Sequence, residues 1–445
     1  MLPLTGWLRS NPRETPKIWI LVGFLIFQHG PLHLFMGIDS WAGMWPGYTQ
    51  GLEISLLDLI ILAIYLSLPR GRASLPFRFS MAFYFFTVLL SVFQVSVPIT
   101  ALFYAWQLAR IFFVYAVVAK ACADPRVAPA LLKGMAMGLL LAACEAIWQR
   151  FGLGVLQTTG SFSSQNFLGV MSHFVVFPCF ALLLVGELGW FAVMTPIAGM
   201  ITAILTTSRA TVAVAGFGYA LIFMISALRG WTPRKAKIAA AGVIVVIVIL
   251  PLFVSSFGDR FGSDIGSAFF GIDESRDQMS QAASMMLSDH PMGVGANNFV
   301  MAAATKGYYS RAGLSWIGWG STVHNVYWLV AAETGYVGLV AFVILLLRPL
   351  TVAFLCGWRN RGDKRGDLLL GFGVALLMVY VHSFYEWVFV TFGVQYIFAA
   401  TAGLIAGLAQ QLGYWRRANT IASRSSYFAR PAAEAAQHVR IKSHR

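Results

Sequence analysis

Three side chains in the 445-residue sequence are of types suited to handling an anion and a proton. Arg209 follows the run ITAILTTS and opens an apolar stretch. A guanidinium presents a rigid fork of donors that matches phosphate; the same position also suits an arginine that only snorkels from a helix end. Arg276 lies in DESRDQ, where it is either a solvated charge paired with Asp273, Glu274 or Asp277, or a second anion contact. His324 lies in STVHNVYW beside Asn325, where a hydrophilic segment meets an apolar one. Histidine transfers protons well near neutral pH, and it also serves as a plain polar cap at such a boundary.

Other polar groups sit in apolar surroundings. Arg110 falls in the middle of YAWQLARIFFVYAVV. A charge inside a membrane helix is costly, so it marks a buried partner or a functional site; Glu145 and Glu386 are the partners this reading suggests. Arg110 is then either one half of a structural ion pair or part of a site wall. His382 and Glu386 are four apart, a spacing that shares one helical face. A metal would need at least a third suitable ligand, and none is evident, so neither metal nor cofactor is expected. The stretch GSFSSQN, residues 160–166, is a helix entry capped by Ser164 or Asn166, or part of a sugar-lining surface. Trp316 and Trp319, in the long hydrophilic segment, are suited to stacking on sugar faces.

The elements that must position these groups are membrane helices. The chain is 58% hydrophobic and 11% charged, against about 45–50% and about 25% in soluble domains. So few charges exclude an ordinary soluble protein. Twelve apolar spans are expected, at 18–36, 51–68, 79–97, 99–119, 131–150, 166–185, 188–207, 210–228, 237–256, 325–347, 367–385 and 391–411. The net charge of +14 reflects loop arginines and lysines rather than a nucleic-acid surface. With both termini cytoplasmic, 25 of the 32 Lys and Arg residues fall on the inner side, as the positive-inside rule requires. Four cysteines in or beside apolar runs imply no disulfide framework. The prolines at 3, 12 and 16 argue against a cleaved signal peptide.

The organisation read from this pattern is spans one to nine over 1–256, a loop domain over 257–324, spans ten to twelve over 325–415 and a basic tail over 416–445. Within the loop, RDQMSQAASMMLSDHP places Met279, Ala282, Ala283, Met286 and Leu287 on one stripe and predicts a helix, ended by Pro291. No internal repeat of the inverted-transporter kind is present. Neither a P-loop nor an acidic metal-nucleotide cluster is found.

Several stretches, in order, resemble the O-antigen ligase/polymerase family. SRATVAVAGFGYALIF resembles its Ser-Arg span opening, SRDQMSQAASMMLSDHPMGVGANNF its loop signature, and HNVYWLVAAETGYVGLVAFVILL the signature closing the loop; GSFSSQNFLG resembles its Gly-x-Phe…Asn segment. The likeness runs from about Gly160 to Leu347. It implies an all-α polytopic membrane fold of the C-type glycosyltransferase kind, with about twelve helices and one large periplasmic loop. It further implies that Arg209 and Arg276 hold the diphosphate of an undecaprenyl-linked glycan donor, with His324 as base; Asn166, Arg110, Trp316 and Trp319 are, from their residue types and places, further candidates for lining the substrate site. The expected protein is a metal-independent glycan transferase of the bacterial inner membrane, acting on lipid A core or a growing glycan and binding no nucleic acid. A lipid-linked glycan flippase is the alternative, and a membrane assembly protein without chemistry a third.

Overall fold

A computed structural model of the chain describes residues 2–27, 35–38, 45–69, 75–187, 189–261 and 274–415. The basic tail 416–445 and residues 262–273 of the expected loop, Asp273 included, lie outside them. In chain order the helices are α1 (Leu2–Ser10), α2 (Thr15–Ile26), α3 (Leu56–Ser67), α4 (Arg78–Ser91), α5 (Pro98–Ala121), α6 (Val127–Ile147), α7 (Gln165–Val185), α8 (Phe191–Leu205), α9 (Arg209–Arg229), α10 (Pro233–Phe261), α11 (Glu274–Asp289), α12 (Phe299–Thr305), α13 (Tyr308–Arg311), α14 (Val326–Arg359), α15 (Lys364–His382) and α16 (Phe392–Gln411).

Each of the twelve expected spans coincides with one of these helices. Eight are long and apolar enough to cross a membrane, and α2, α3, α4 and α8 are shorter apolar helices. Twelve residues of helix rise about 18 Å, short of the roughly 30 Å of bilayer hydrocarbon. Strands overlap the ends of two expected spans: β1 (Phe35–Ile38) pairs antiparallel with β2 (Leu52–Ser55), Phe35 opposite Ser55. The expected span at 51–68 therefore starts late as a helix. The cause is local. Ser55 accepts the Asp58 amide and Asp58 accepts the Ser55 amide, a reciprocal capping box that opens α3 at Leu56 and leaves 52–55 extended.

α7 and α16 form the centre of the bundle and α10 its periphery: 94% of the most apolar stretch of α16 is buried and 0% of that of α10. α2 packs on α6, α5 on α16, α14 on α4 and α15, and α7 on α8, α9 and α15.

The expected loop helix is α11. It buries Met279, Ala282, Ala283, Met286 and Leu287, the stripe read from the sequence, and packs on α14. α11–α13 lie on one face of the bundle, its loop side.

The expected tenth span is not a single crossing. α14 breaks at Gly335, whose φ of 70° and ψ of −173° are not helical. Tyr327 and Phe342 are 15 residues apart, which would separate them by about 22 Å along an unbroken helix, yet their ring centroids lie 6.2 Å apart. Residues 326–334 therefore fold back on the crossing segment, which runs over 336–359. Arg348, expected in the following link, consequently lies within the crossing helix, where it is exposed and long enough to snorkel.

The segment 290–295 fills the break. Val294 and Gly295 donate backbone N–H groups to the carbonyls of Ala332 and Glu333, at 2.9 and 2.8 Å, and Tyr336 donates to Pro291 at 3.1 Å. The broken helix thus loses few backbone bonds. The buried Glu333 side chain accepts from the amides of Asn298 and Phe299, both at 3.0 Å, and from the Tyr48 hydroxyl at 2.7 Å. Asn297 is bonded to Thr49 and to the carbonyl of Thr100. His-Pro…Gly-x-Gly, Asn-Asn-Phe and Glu-x-Gly are thus one structural joint, holding the loop onto the bundle.

Candidate active site on the loop side

Glu386 anchors the candidate site. It lies in the link between α15 and α16 and is buried, 3% exposed. Asn166, in the first turn of α7, donates its Nδ2 to Glu386 Oε1. Arg276, in the first turn of α11, places Nη2 3.4 Å from the same oxygen and donates Nη1 to the Tyr385 carbonyl at 3.0 Å. Two expected site residues from distant parts of the chain therefore meet on one carboxylate.

Arg209 comes to the same corner through helix packing. A methyl group at Gly169 would fall 2.3 Å from Thr211 Oγ1, so α7 and α9 touch there. Gly169 is three residues past Asn166, and Thr211 two residues past Arg209. The turn before Arg209 is strained: Thr207 has φ of 46°, a left-handed conformation unfavourable for a β-branched residue, of the kind concentrated at functional sites. Ser208 caps α9 by accepting the Thr211 amide. His324 arrives by a third route. The Val326 amide donates to the Ser383 carbonyl at 3.0 Å, which pins the start of α14 beside the end of α15, three residues from Glu386.

Four helices therefore begin at this corner: α7, α9, α11 and α14. Each start carries partial positive charge from unsatisfied N–H groups, and together with two guanidiniums they suit a multiply charged anion.

Burial raises the Glu386 carboxyl to about 7, opposed by the charge and hydrogen bond of Arg276. Below that value the carboxyl is neutral and the charge of Arg276 is available to an anion. Above it, the carboxylate competes for Arg276. The Michaelis constant for an anionic donor is therefore expected to rise as pH goes from 6 to 8, and the rise to vanish in Glu386→Gln. A rise that persists in that variant would place the titration elsewhere.

His382 and Glu386 do not share a helical face, because α15 ends at His382. His382 Nδ1 lies instead 3.2 Å from His173 Nε2 on α7. Arg110 takes partners other than Glu145 and Glu386. Its Nε is 3.2 Å from Asp58 and its Nη1 3.9 Å from Glu53, and it donates to the Glu53 carbonyl and the Tyr396 hydroxyl. Asp58, which caps the start of α3, and Glu53 on β2 thus neutralise a charge that burial alone makes costly. Trp316 is 78% exposed on the loop surface, and Trp319 packs near Tyr309 and donates to the Leu314 carbonyl. In the sequence Glu386 stood out only as a neighbour of His382 and a candidate partner of Arg110; its place at the centre follows from tertiary contacts with α7 and α11.

Residues 191–343 match the family model described as O-antigen ligase. This segment therefore resembles an O-antigen ligase domain. No curated protein matches it. The matched segment runs from α8 to the crossing part of α14 and contains Arg209, Arg276 and His324, together with the Glu333–Gly335 joint. Asn166 and Glu386 lie outside it, so the O-antigen ligase domain is completed at this corner by flanking helices. The family consists of glycan ligases and polymerases, and its substrates are lipid-linked glycans.

Proposed function

We propose that this protein, whose residues 191–343 resemble an O-antigen ligase domain, transfers glycan from an undecaprenyl-diphosphate-linked donor to a lipid or glycan acceptor. In this reading it is a multi-pass protein of the bacterial inner membrane, with both termini cytoplasmic and the loop side periplasmic. The observation that carries it is the convergence of Arg209, Arg276 and four helix starts around Asn166 and Glu386.

The chemistry follows from the charges. The acceptor hydroxyl oxygen attacks the anomeric carbon, the bond from that carbon to the diphosphate oxygen breaks, and the diphosphate leaves with the electron pair. Fixed cations stabilise the departing charge. The hydroxyl proton passes to the His324 imidazole. Arg209 and Arg276 supply the charge stabilisation, so the reading invokes no metal ion. The acceptor is lipid A core for a ligase and the growing glycan for a polymerase.

Cells lacking the gene are expected to regain their surface glycan when complemented with wild type. Complementation with His324→Ala should fail although the protein is inserted, because loss of the base costs about 10²–10⁴-fold in rate. Long chains retained on the lipid carrier in the deletion would assign a ligase, and single repeat units on the final acceptor a polymerase. A glycan profile unchanged by deletion, or restored by His324→Ala, would overturn the reading.

A further inference from the structure

A cavity of about 270 Å³ opens on the loop side, between α12 and the link that joins α4 to α5. Gln94 and Ser96 line it from the link, and Asn298, Met301 and Lys306 from α12 and its two ends. The joint fixes these walls. The Ala296 amide donates to Ser91 Oγ, at the end of α4, at 3.0 Å. A Cβ at Gly295 would fall 1.9 Å from Val95 Cγ2, so link and joint touch with no room for a side chain. A pocket built on such a contact is formed before its ligand arrives.

Asn298 supplies the observation that points to a ligand. It is 6% exposed. Its Nδ2 donates to the Val294 carbonyl at 2.7 Å, and its backbone amide to Glu333 at 3.0 Å. Its Oδ1 is buried and accepts no hydrogen bond within the protein. Leaving such an acceptor unmet costs free energy, and folded proteins seldom do so without a reason. The cation of the same pocket is engaged elsewhere: Lys306 Nζ lies 3.2 Å from His290 Nε2. As an ammonium it keeps further donors for a ligand.

These groups select the ligand. Asn298 Oδ1 only accepts, so the ligand must donate; an ionised carboxylate or a phosphodiester cannot. Lys306 only donates, so the ligand must also accept. Gln94 and Ser96, both exposed, do either. A sugar ring meets all three demands, because each hydroxyl donates and accepts, and its C–H face can lie on Val95 and Met301. A divalent cation would face the charge of Lys306 with no lining carboxylate to hold it. The volume lies just under the roughly 300–1,000 Å³ of sites for larger ligands, which suits a single ring. Place completes the argument. From Val326, beside the Glu386 corner, to Glu333, which holds the Asn298 amide, is about 10 Å of helix. A ring in the pocket is therefore not the one whose bond is made or broken.

We propose that this pocket binds one sugar residue of the glycan chain, away from the transfer bond, and so discriminates among glycans. The proposal rests on the glycan-transfer reading given under Proposed function. The test uses the full chain in lipid nanodiscs and the oligosaccharide repeat unit released from the host's own surface glycan, free of lipid and diphosphate. Saturation-transfer NMR is expected to show contact with the oligosaccharide. Ser96→Trp, which fills the pocket from an exposed position, should abolish that contact without lowering the melting temperature. Gln94→Ala with Ser96→Ala, a milder variant, should weaken binding about tenfold, the effect of losing one or two neutral hydrogen bonds.

In transfer assays both variants should raise the Michaelis constant and leave kcat near wild type, since neither residue touches the reacting atoms. A rise for the lipid-linked donor assigns the ring to the donor glycan, and a rise for the acceptor assigns it to the acceptor glycan. No binding by wild type overturns the proposal, as does binding unchanged in folded Ser96→Trp. Displacement of the oligosaccharide by inorganic phosphate also overturns it, because the pocket would then be an anion site. Binding is read without transfer, so the two readings fail separately. An oligosaccharide held at the pocket of a protein that transfers no glycan leaves the pocket standing, and active transfer with binding indifferent to Ser96→Trp removes the pocket alone.

Discussion

Arg276→Ala is expected to lower kcat/KM for glycan transfer about 10²–10³-fold, the usual cost of losing one donor aimed at developing charge, while the protein still inserts and folds. The side chain of Arg276 is about one-third exposed and contacts the Tyr385 carbonyl and Glu386. Its loss leaves Glu386 with Asn166. A buried carboxyl without its cation is ordinarily expensive. Here the carboxyl already titrates near neutrality, at about 7, so it can take up a proton instead of remaining charged, and the cost to stability is small. The check pairs steady-state transfer by purified protein with a thermal melt. Arg276→Ala combined with Glu386→Gln should match wild type in melting temperature but not in activity. A single variant that melts far below wild type would make Arg276 a structural residue, and one with normal kcat/KM would remove it from the site.

Gly335→Val is expected to be the most damaging single substitution to folding, by several kcal/mol. Two costs combine. Gly335, at φ 70° and ψ −173°, occupies a region essentially reserved for glycine that costs any side chain about 1–3 kcal/mol, and a Cβ there would come within 2.3 Å of the Pro291 carbonyl oxygen and 2.5 Å of the Met292 carbonyl carbon. Both neighbours are backbone of the segment that fills the helix break, so they cannot rotate away. Moving them would undo the bonds from Val294, Gly295 and Tyr336 that attach the loop. Gly307→Ala is the control. Gly307 also has positive φ, at 74°, but a Cβ there meets nothing within 4 Å, so only the backbone cost of about 1 kcal/mol should appear. Thermal melts of the two variants in the same detergent decide the matter: equal shifts would mean that the joint is not close-packed.

The sequence alone determined the membrane class, the number and approximate place of the apolar helices, and the loop helix. These depend on composition and on periodicity within single segments, and each buried residue of α11 could be named from its stripe. It also singled out Arg209, Arg276 and His324, because charged and proton-transferring groups beside apolar runs are conspicuous.

What only the tertiary structure decided depends on contacts between segments far apart in the chain. Glu386 meets Asn166 across 220 residues and Arg276 across 110, separations that no local pattern encodes. Arg110 found its acids in Glu53 and Asp58, about 50 residues away, because α3 and α5 pack together. The break in α14 was hidden for a related reason. The apolar run continues through Gly335, and hydropathy registers only whether a segment prefers lipid. Whether that segment crosses once or folds back is set by which backbone groups another part of the chain can satisfy, and here that part is the loop at 290–295.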